Sequence, residues 1–573
     1  MALSTASISA LTTAQIAGLT TSAVQLLSAA EITGLTTSQA VALTTSGAAA
    51  LTKNQVASFT TASLAGMSTS EFAALTTGTI SSLTAGRIGG MTTSSVAGLT
   101  TSEVAVISST VLAGLSTSGV AGLTTSGFAA MSAKNISGLA THDLAALTTS
   151  QLGALTTGTV NGLSAATLGA LTTAGIAGLS TSGLAAFTKT VLGGLTTSEL
   201  AALSTSSIAA LTTTGITGLG AGKISGLTTS EIAGLTTGEV AIIGATLLGG
   251  LTTSAIAALS TSDLASLTSK TIVGLKTGEV GALTTSGVAG LTTGSLFGLT
   301  ASQIGALSTS AVAGLTTAGI AALTAKTIDG LGTSRVAALT TAGVAALTGS
   351  TVSGLSTAEL SGLTTSSVAV LTTTALNGLA ATKIAGLTTA GIAALSTSGL
   401  AALTKSTITG LSTAELAALT TSGLAALTTT GISGLGALKV AGLTTSTIAG
   451  LTTGEAAVLT GTVIAGLTTS AAAGLTTAEI GALGKGTTAG LTTSELGALT
   501  TSAVAALTTT GSSGLTAAGI KGLTTSAVAA MTTSQIVGLQ VATASAFTTA
   551  QVAALTTANA NVLFLTAHGN FHS

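Results

Sequence analysis

An apolar residue returns at every eighth position from Leu3 to Leu555, through 70 consecutive octads without an insertion or a deletion. A chain held to this rule does not divide into ordinary globular domains. It stacks like units on like, each burying its apolar side against its neighbours. The first position of the octad is Leu in 61 units and Met, Phe or Ile in the others, as at Phe59, Met91 and Ile243. The sixth position carries Ile, Val, Leu, Ala or Phe, with Thr488 and Ser512 as polar exceptions. Positions two to four are mostly Thr, Ser and Ala, and positions seven and eight mainly Ala and Gly. The pattern predicts one uninterrupted solenoid over residues 1–562 and a C-terminal tail at 563–573, read as an end cap or an export signal.

Two local structures compete for the octad. A strand would send positions one and six, of opposite parity, to opposite faces, so a corner would have to fall between them. The Thr, Val and Ile content keeps a β-solenoid as the alternative. The acids favour a helix. All 12 Glu, among them Glu31, Glu71, Glu103, Glu199, Glu231 and Glu495, stand at position five, as do Asp143, Asp263 and seven Gln. With Thr or Ser of position two as N-cap, position five becomes the third helical residue. The word T-x-x-E is then a capping box, and positions one and six become the two halves of a hydrophobic staple. The helix dipole favours a carboxylate at that place. Gly at position eight is expected to close the helix in a left-handed C-cap. A helix this short cannot stand alone, so the expected fold is an α-type superhelix of very short capped helices, one per octad.

A slower rhythm sets the expected size of the superhelical turn. Octads with a basic residue or unusual composition, such as "LTKNQVAS" at 51, "LGAGKISG" at 219 and "LTKSTITG" at 403, recur at an average of about 27 residues, which gives about 3.3 octads per turn by solenoid logic. Several basic octads are followed directly by an acidic one: Lys134 and Asp143, Lys189 and Glu199, Lys223 and Glu231, Lys270 and Glu279, Lys405 and Glu415, Lys485 and Glu495. These are read as lateral pairs along one side, a candidate assembly seam.

Composition then removes whole classes of function. Charged residues are 5% and the net charge is -1, so no general field draws the chain to nucleic acid or an anionic surface. Cysteine is absent, which rules out disulfides and thiolate metal sites. Thr and Ser interrupt every apolar run, so no transmembrane helix is expected. The opening "MALSTASISALTT" has neither a basic n-region nor a continuous apolar h-region, and no cleaved secretory signal is expected. His142 stands alone; His568 and His572 are spaced for one helix face but lie in the terminal tail. The hydroxyls lack a neighbouring base with an orienting acid, so neither catalysis nor a cofactor is expected. What remains is a structural, self-assembling rod forming a filament, sheath or surface layer, with an ice-binding or adhesive array and an intracellular scaffold as alternatives.

The unit LTTSxIAx resembles the Thr/Ser-rich octapeptide arrays of large proteobacterial repeat proteins that are secreted or surface-exposed. The resemblance covers nearly the whole chain. It implies one-step export read from an uncleaved C-terminus, an extracellular or cell-surface location with cytoplasmic residence as the alternative, and self-association. The chain departs from that family in lacking a separate adhesive or calcium-binding domain, which leaves assembly to the array itself.

Overall fold

The computed structural model describes residues 4–569. Between them lie 69 α-helical segments and two 3-10 segments, with no strand among the described residues. Nearly every α-helix opens at position three of its octad and runs four to six residues, as in Thr37–Val41, Thr101–Val106 and Thr453–Val458. Position two is extended, with φ −75° and ψ 162° at Thr100, and so is position one, with φ −71° and ψ 128° at Ile107. The unit is therefore one helical turn followed by a two-residue corner.

Two backbone hydrogen bonds fix that shape. The position-six N–H donates to the position-two carbonyl, as Val104 does to Thr100 at 3.0 Å, which closes the helical turn. The next position-one N–H donates back to position six, as Ile107 does to Val104 at 3.3 Å, which turns the chain at the corner. Both anchors point inward. Val104 and Ile107 are buried, and so are nearly all of their equivalents, so the apolar core is built chiefly of Leu, Ile and Val. Each such side chain contributes about 1.5 to 3 kcal/mol on leaving water.

The described chain forms two compact units, Met1–Ala282 and Leu283–Ser573, and the division falls between two octads. Each unit is an α-solenoid, so the β-solenoid alternative is set aside. Within each, a helix packs on the helix three octads ahead. In the first unit Thr37–Val41 meets Thr61–Gly66 and Thr93–Ala97 meets Thr117–Gly122; in the second Ala381–Ile384 meets Lys405–Gly410 and Thr453–Val458 meets Thr477–Ala482. One turn is thus three octads, 24 residues, in place of the value of about 3.3 expected from the basic octads by solenoid logic. That estimate fails because the basic octads do not keep to one side of the turn: most of their lysines, such as Lys134, Lys189 and Lys270, project to solvent, where packing does not fix their column. In the first unit Lys134, Lys189 and the pair Lys223 and Lys270 belong to three different stacked columns.

Position eight also departs from expectation. Helices end in right-handed or extended residues, and the only glycines with positive φ among the described residues are Gly332 and Gly569. Glycine at position eight instead admits the neighbouring turn. A Cβ on Gly98 would sit 2.5 Å from the Thr69 carbonyl oxygen, and one on Gly178 would sit 2.7 Å from the Thr149 Cα. No left-handed cap is needed, because the extended position-one residue already redirects the chain. The described part of the 563–573 tail continues the last helix, Thr557–Ala567; residues 570–573, with His572, lie outside the described residues.

Candidate functional site

Position five is where the octad joins its own helix to the turn beneath. Each of the six glutamates named from the sequence makes a capping box. The carboxylate Oε2 accepts the position-two N–H at 2.6 to 2.7 Å in Glu31, Glu71, Glu103, Glu199, Glu231 and Glu495. In return the position-two hydroxyl accepts the glutamate N–H at 3.3 to 3.4 Å. Two otherwise orphaned amides at the helix start are satisfied by this exchange.

Glutamine extends the arrangement downward. Gln535 takes the Thr532 N–H on Oε1 at 2.7 Å and donates Nε2 to the Leu507 carbonyl at 2.6 Å, 28 residues back. Gln39, Gln55, Gln151 and Gln551 make the same donation to Leu11, Leu27, Leu123 and Leu523 at 2.7 to 2.8 Å. Shorter side chains reach the same carbonyl. Thr159 donates to Met131 at 2.7 Å, Ser63 to Leu35 at 3.1 Å and Asn135 to Ile107 at 2.6 Å. Aspartate, one methylene shorter than Glu, stops at the hydroxyl of position three below: Thr117 donates to Asp143 at 2.8 Å and Thr237 to Asp263 at 3.0 Å.

Glutamate has no proton to donate downward. Its second oxygen is buried without a hydrogen-bond partner in Glu103, Glu231, Glu239, Glu455 and Glu479. Burial pushes the carboxyls of Glu71, Glu103, Glu239, Glu455 and Glu479 above their ordinary range, opposed by the hydrogen bonds from the capping residue.

Basic residues at position five mark a variant unit. Four of the five, Lys223, Arg335, Lys383 and Lys439, follow Gly or Ala at position two, so their helices have no side-chain cap. A cation at a helix start is repelled by the dipole and cannot accept an amide N–H. Each instead reaches a carbonyl of the turn below: Lys223 to Gly193, Arg335 to Leu307, Lys439 to Leu411, and Lys383 to Ser353 at 2.5 Å. Three of them stand 24 residues after an acid at the same position, as Lys223 after Glu199, Lys383 after Glu359 and Lys439 after Glu415. Sequence reasoning missed these column neighbours, and the 24-residue spacing was the signal that could have found them.

The lateral pairs do not form within the chain. Among the described residues the ion pairs within 4 Å are His142 with Asp143 and Lys276 with Glu279. Successive octads occupy different sides of the turn, and the partner glutamates are sealed in capping boxes, while the buried Asp143 accepts from Thr117. Lys134, Lys189, Lys270, Lys405 and Lys485 are exposed to solvent, while Lys223 folds back onto the turn below. His142 is exposed, and His568 bonds the Phe564 carbonyl through Nδ1 at 2.7 Å. No group of three His, Asp or Glu among the described residues is placed to hold a metal. No helix among them is long and apolar enough to cross a membrane.

Outside the column lie rows of hydroxyls. Several exposed position-three threonines are bound to the next turn: Thr93 donates to the Ser118 carbonyl at 3.1 Å, Thr285 to Ser310 at 3.0 Å and Thr421 to Ser446 at 2.8 Å. The fold and this ladder define an α-helical repeat protein. Residues 256–293 match the family model described as the ALTTAQ repeat. Comparison with curated proteins and with solved structures gives no match.

Proposed function

We propose that the protein is a structural element that assembles with copies of itself into an extracellular filament, sheath or surface layer, and that it carries no enzymatic activity. The observation that supports this reading is the division of labour along the octad. Polar groups of position five are spent on the helix start and, in Gln, on the turn below, while exposed Thr and Ser return on the outside of nearly every octad. A copy that fits one turn meets the same chemistry at the next, and identical surfaces favour regular self-association. The exposed lysines Lys134, Lys189, Lys270, Lys405 and Lys485 are the candidate contacts to hydroxyl and carbonyl oxygens of another copy, since the position-five acids are buried, and their scatter over several columns favours a sheath or layer over a two-chain seam. Proteobacterial origin and export without a cleaved signal belong to the same reading, with cytoplasmic scaffolding as its competitor.

Negative-stain microscopy of purified protein across a concentration series tests assembly. Ordered filaments or sheets that appear with concentration are expected, and a monodisperse monomer at every concentration would overturn the proposal. Cell fractionation separates surface from cytoplasm. The exposed threonine rows favour ice binding or adhesion as a second reading, but Thr93, Thr285 and Thr421 already commit their hydroxyl hydrogens to the next turn. No thermal hysteresis is therefore expected.

A further inference from the structure

We propose that Glu103, Glu239, Glu455 and Glu479 are proton-operated latches between turns: each takes up a proton from solution on its buried Oε1 and donates it to the position-one carbonyl 28 residues earlier. Those carbonyls belong to Leu75, Leu211, Leu427 and Leu451. Gln, the isostere of protonated Glu, spends a donor on that carbonyl at 2.6 to 2.8 Å in Gln39, Gln151, Gln535 and Gln551, and Asn135 and Thr159 reach the equivalent carbonyl of their own lower turn. Oε2 of each glutamate is held by its capping amide, at 2.6 to 2.7 Å, which leaves Oε1 for the turn below. That oxygen is buried and unpartnered in all four. An ionised oxygen left there is a costly arrangement, and one proton converts it into the glutamine geometry.

The surroundings supply no cation. The helices packed on Thr101–Val106, namely Thr77–Ile80 and Thr125–Ala129, carry no charged residue. Thr237–Ile242 meets Thr213–Ile216, which is uncharged, and Thr261–Ser266, which brings Asp263. Thr453–Val458 meets the uncharged Thr429–Ile432 and then Thr477–Ala482, so Glu455 and Glu479 stack one turn apart; above them Thr501–Ala505 is uncharged. Like charge in the next turn favours protonation further. Because burial raises these carboxyls above their unfolded value, the folded chain binds more protons than the unfolded one. Their contribution to stability is complete below the ordinary carboxylate range and is lost as pH rises through the elevated folded value.

The test compares the wild-type chain with a variant carrying E103Q, E239Q, E455Q and E479Q in urea unfolding at pH about 5 and about 8. The other acids are common to both proteins, so the difference isolates the four. The wild-type midpoint is expected to fall more than the variant's as pH rises, with the variant the more resistant at the higher pH. Glu199→Gln, where Lys223 occupies the turn above, is expected to give no such gain. Parallel pH dependence in wild type and variant would overturn the proposal. Infrared spectroscopy of the unmodified protein gives a second reading that does not depend on the variant folding. A protonated-carboxyl band persisting above the usual carboxylate range is expected, and its absence there would equally overturn it.

Discussion

Glutamine at position five both accepts from its own helix start and donates to the turn beneath, so its removal leaves two buried groups without partners. Gln535→Ala is expected to lower stability by about 2 to 4 kcal/mol, the combined cost of an orphaned amide and an orphaned carbonyl, as read from urea midpoints. The opposite case is Ser512, a position-six side chain in the apolar column whose hydroxyl has no partner. Ser512→Ala is expected to stabilise by about 1 to 2 kcal/mol, since Ala456 and Ala472 already occupy the same slot and the buried hydroxyl only costs. Thr488, one turn earlier, differs because its hydroxyl donates to the Gly511 carbonyl at 2.7 Å. A strained residue completes the set: Thr388 has φ 62° and ψ 158°, a region reserved for glycine. Thr388→Gly is expected to raise stability by about 1 kcal/mol, read from the urea midpoint, despite the weaker cap, because glycine removes most of the strain. Gly332 adopts the same region and points its N–H to Glu359 of the next turn at 2.8 Å, since Arg335 offers its own helix start no acceptor.

At the level of the element, the octad is a helical turn held at its start by a cap and at its end by an extended corner. The cap was legible because only a helix start explains why every glutamate stands three residues after a Thr, Ser or Lys of position two. The role of position eight was not legible. Gly and Ala are both small, and the sequence does not say whether smallness serves a left-handed cap or the approach of another turn. The structure shows what separates a position-eight glycine from one inside the helix. Gly178 faces the backbone of Thr149, whereas Gly158 lies within Thr157–Asn161 with nothing within 4 Å of a built Cβ. Gly178→Ala is expected to destabilise by about 1 to 3 kcal/mol, because backbone must shift to admit the methyl group. Gly158→Ala is expected to stabilise by about 0.5 to 1 kcal/mol through helix propensity and a more restricted unfolded chain.

For the whole molecule, stability follows from nearest-neighbour contacts between turns, so damage stays local. Hydrogen exchange on Gly178→Ala is expected to quicken amides in the turns around residues 149 and 178, with no change in Leu283–Ser573. The solenoid was readable from the unbroken octad, but the size of its turn was not read correctly from the spacing of solvent-facing lysines. The sequence carried a better marker in residues that touch the next turn. The polar core pair Thr488 and Ser512, and the column neighbours Glu199 and Lys223, Glu359 and Lys383, Glu415 and Lys439, all stand 24 residues apart. Buried or column-facing positions report the turn because packing constrains them; exposed ones do not. The three-octad turn is the claim on which the position-five ladder depends, and a chain without cysteine allows it to be tested directly. With Thr93→Cys paired in turn with Ser118→Cys, Thr110→Cys and Ser126→Cys, oxidation is expected to close a disulfide with residue 118, whose carbonyl lies 3.1 Å from the Thr93 hydroxyl, and not with 110 or 126. Preferential bridging to residue 110 or 126 would contradict the three-octad turn and the ladder built on it.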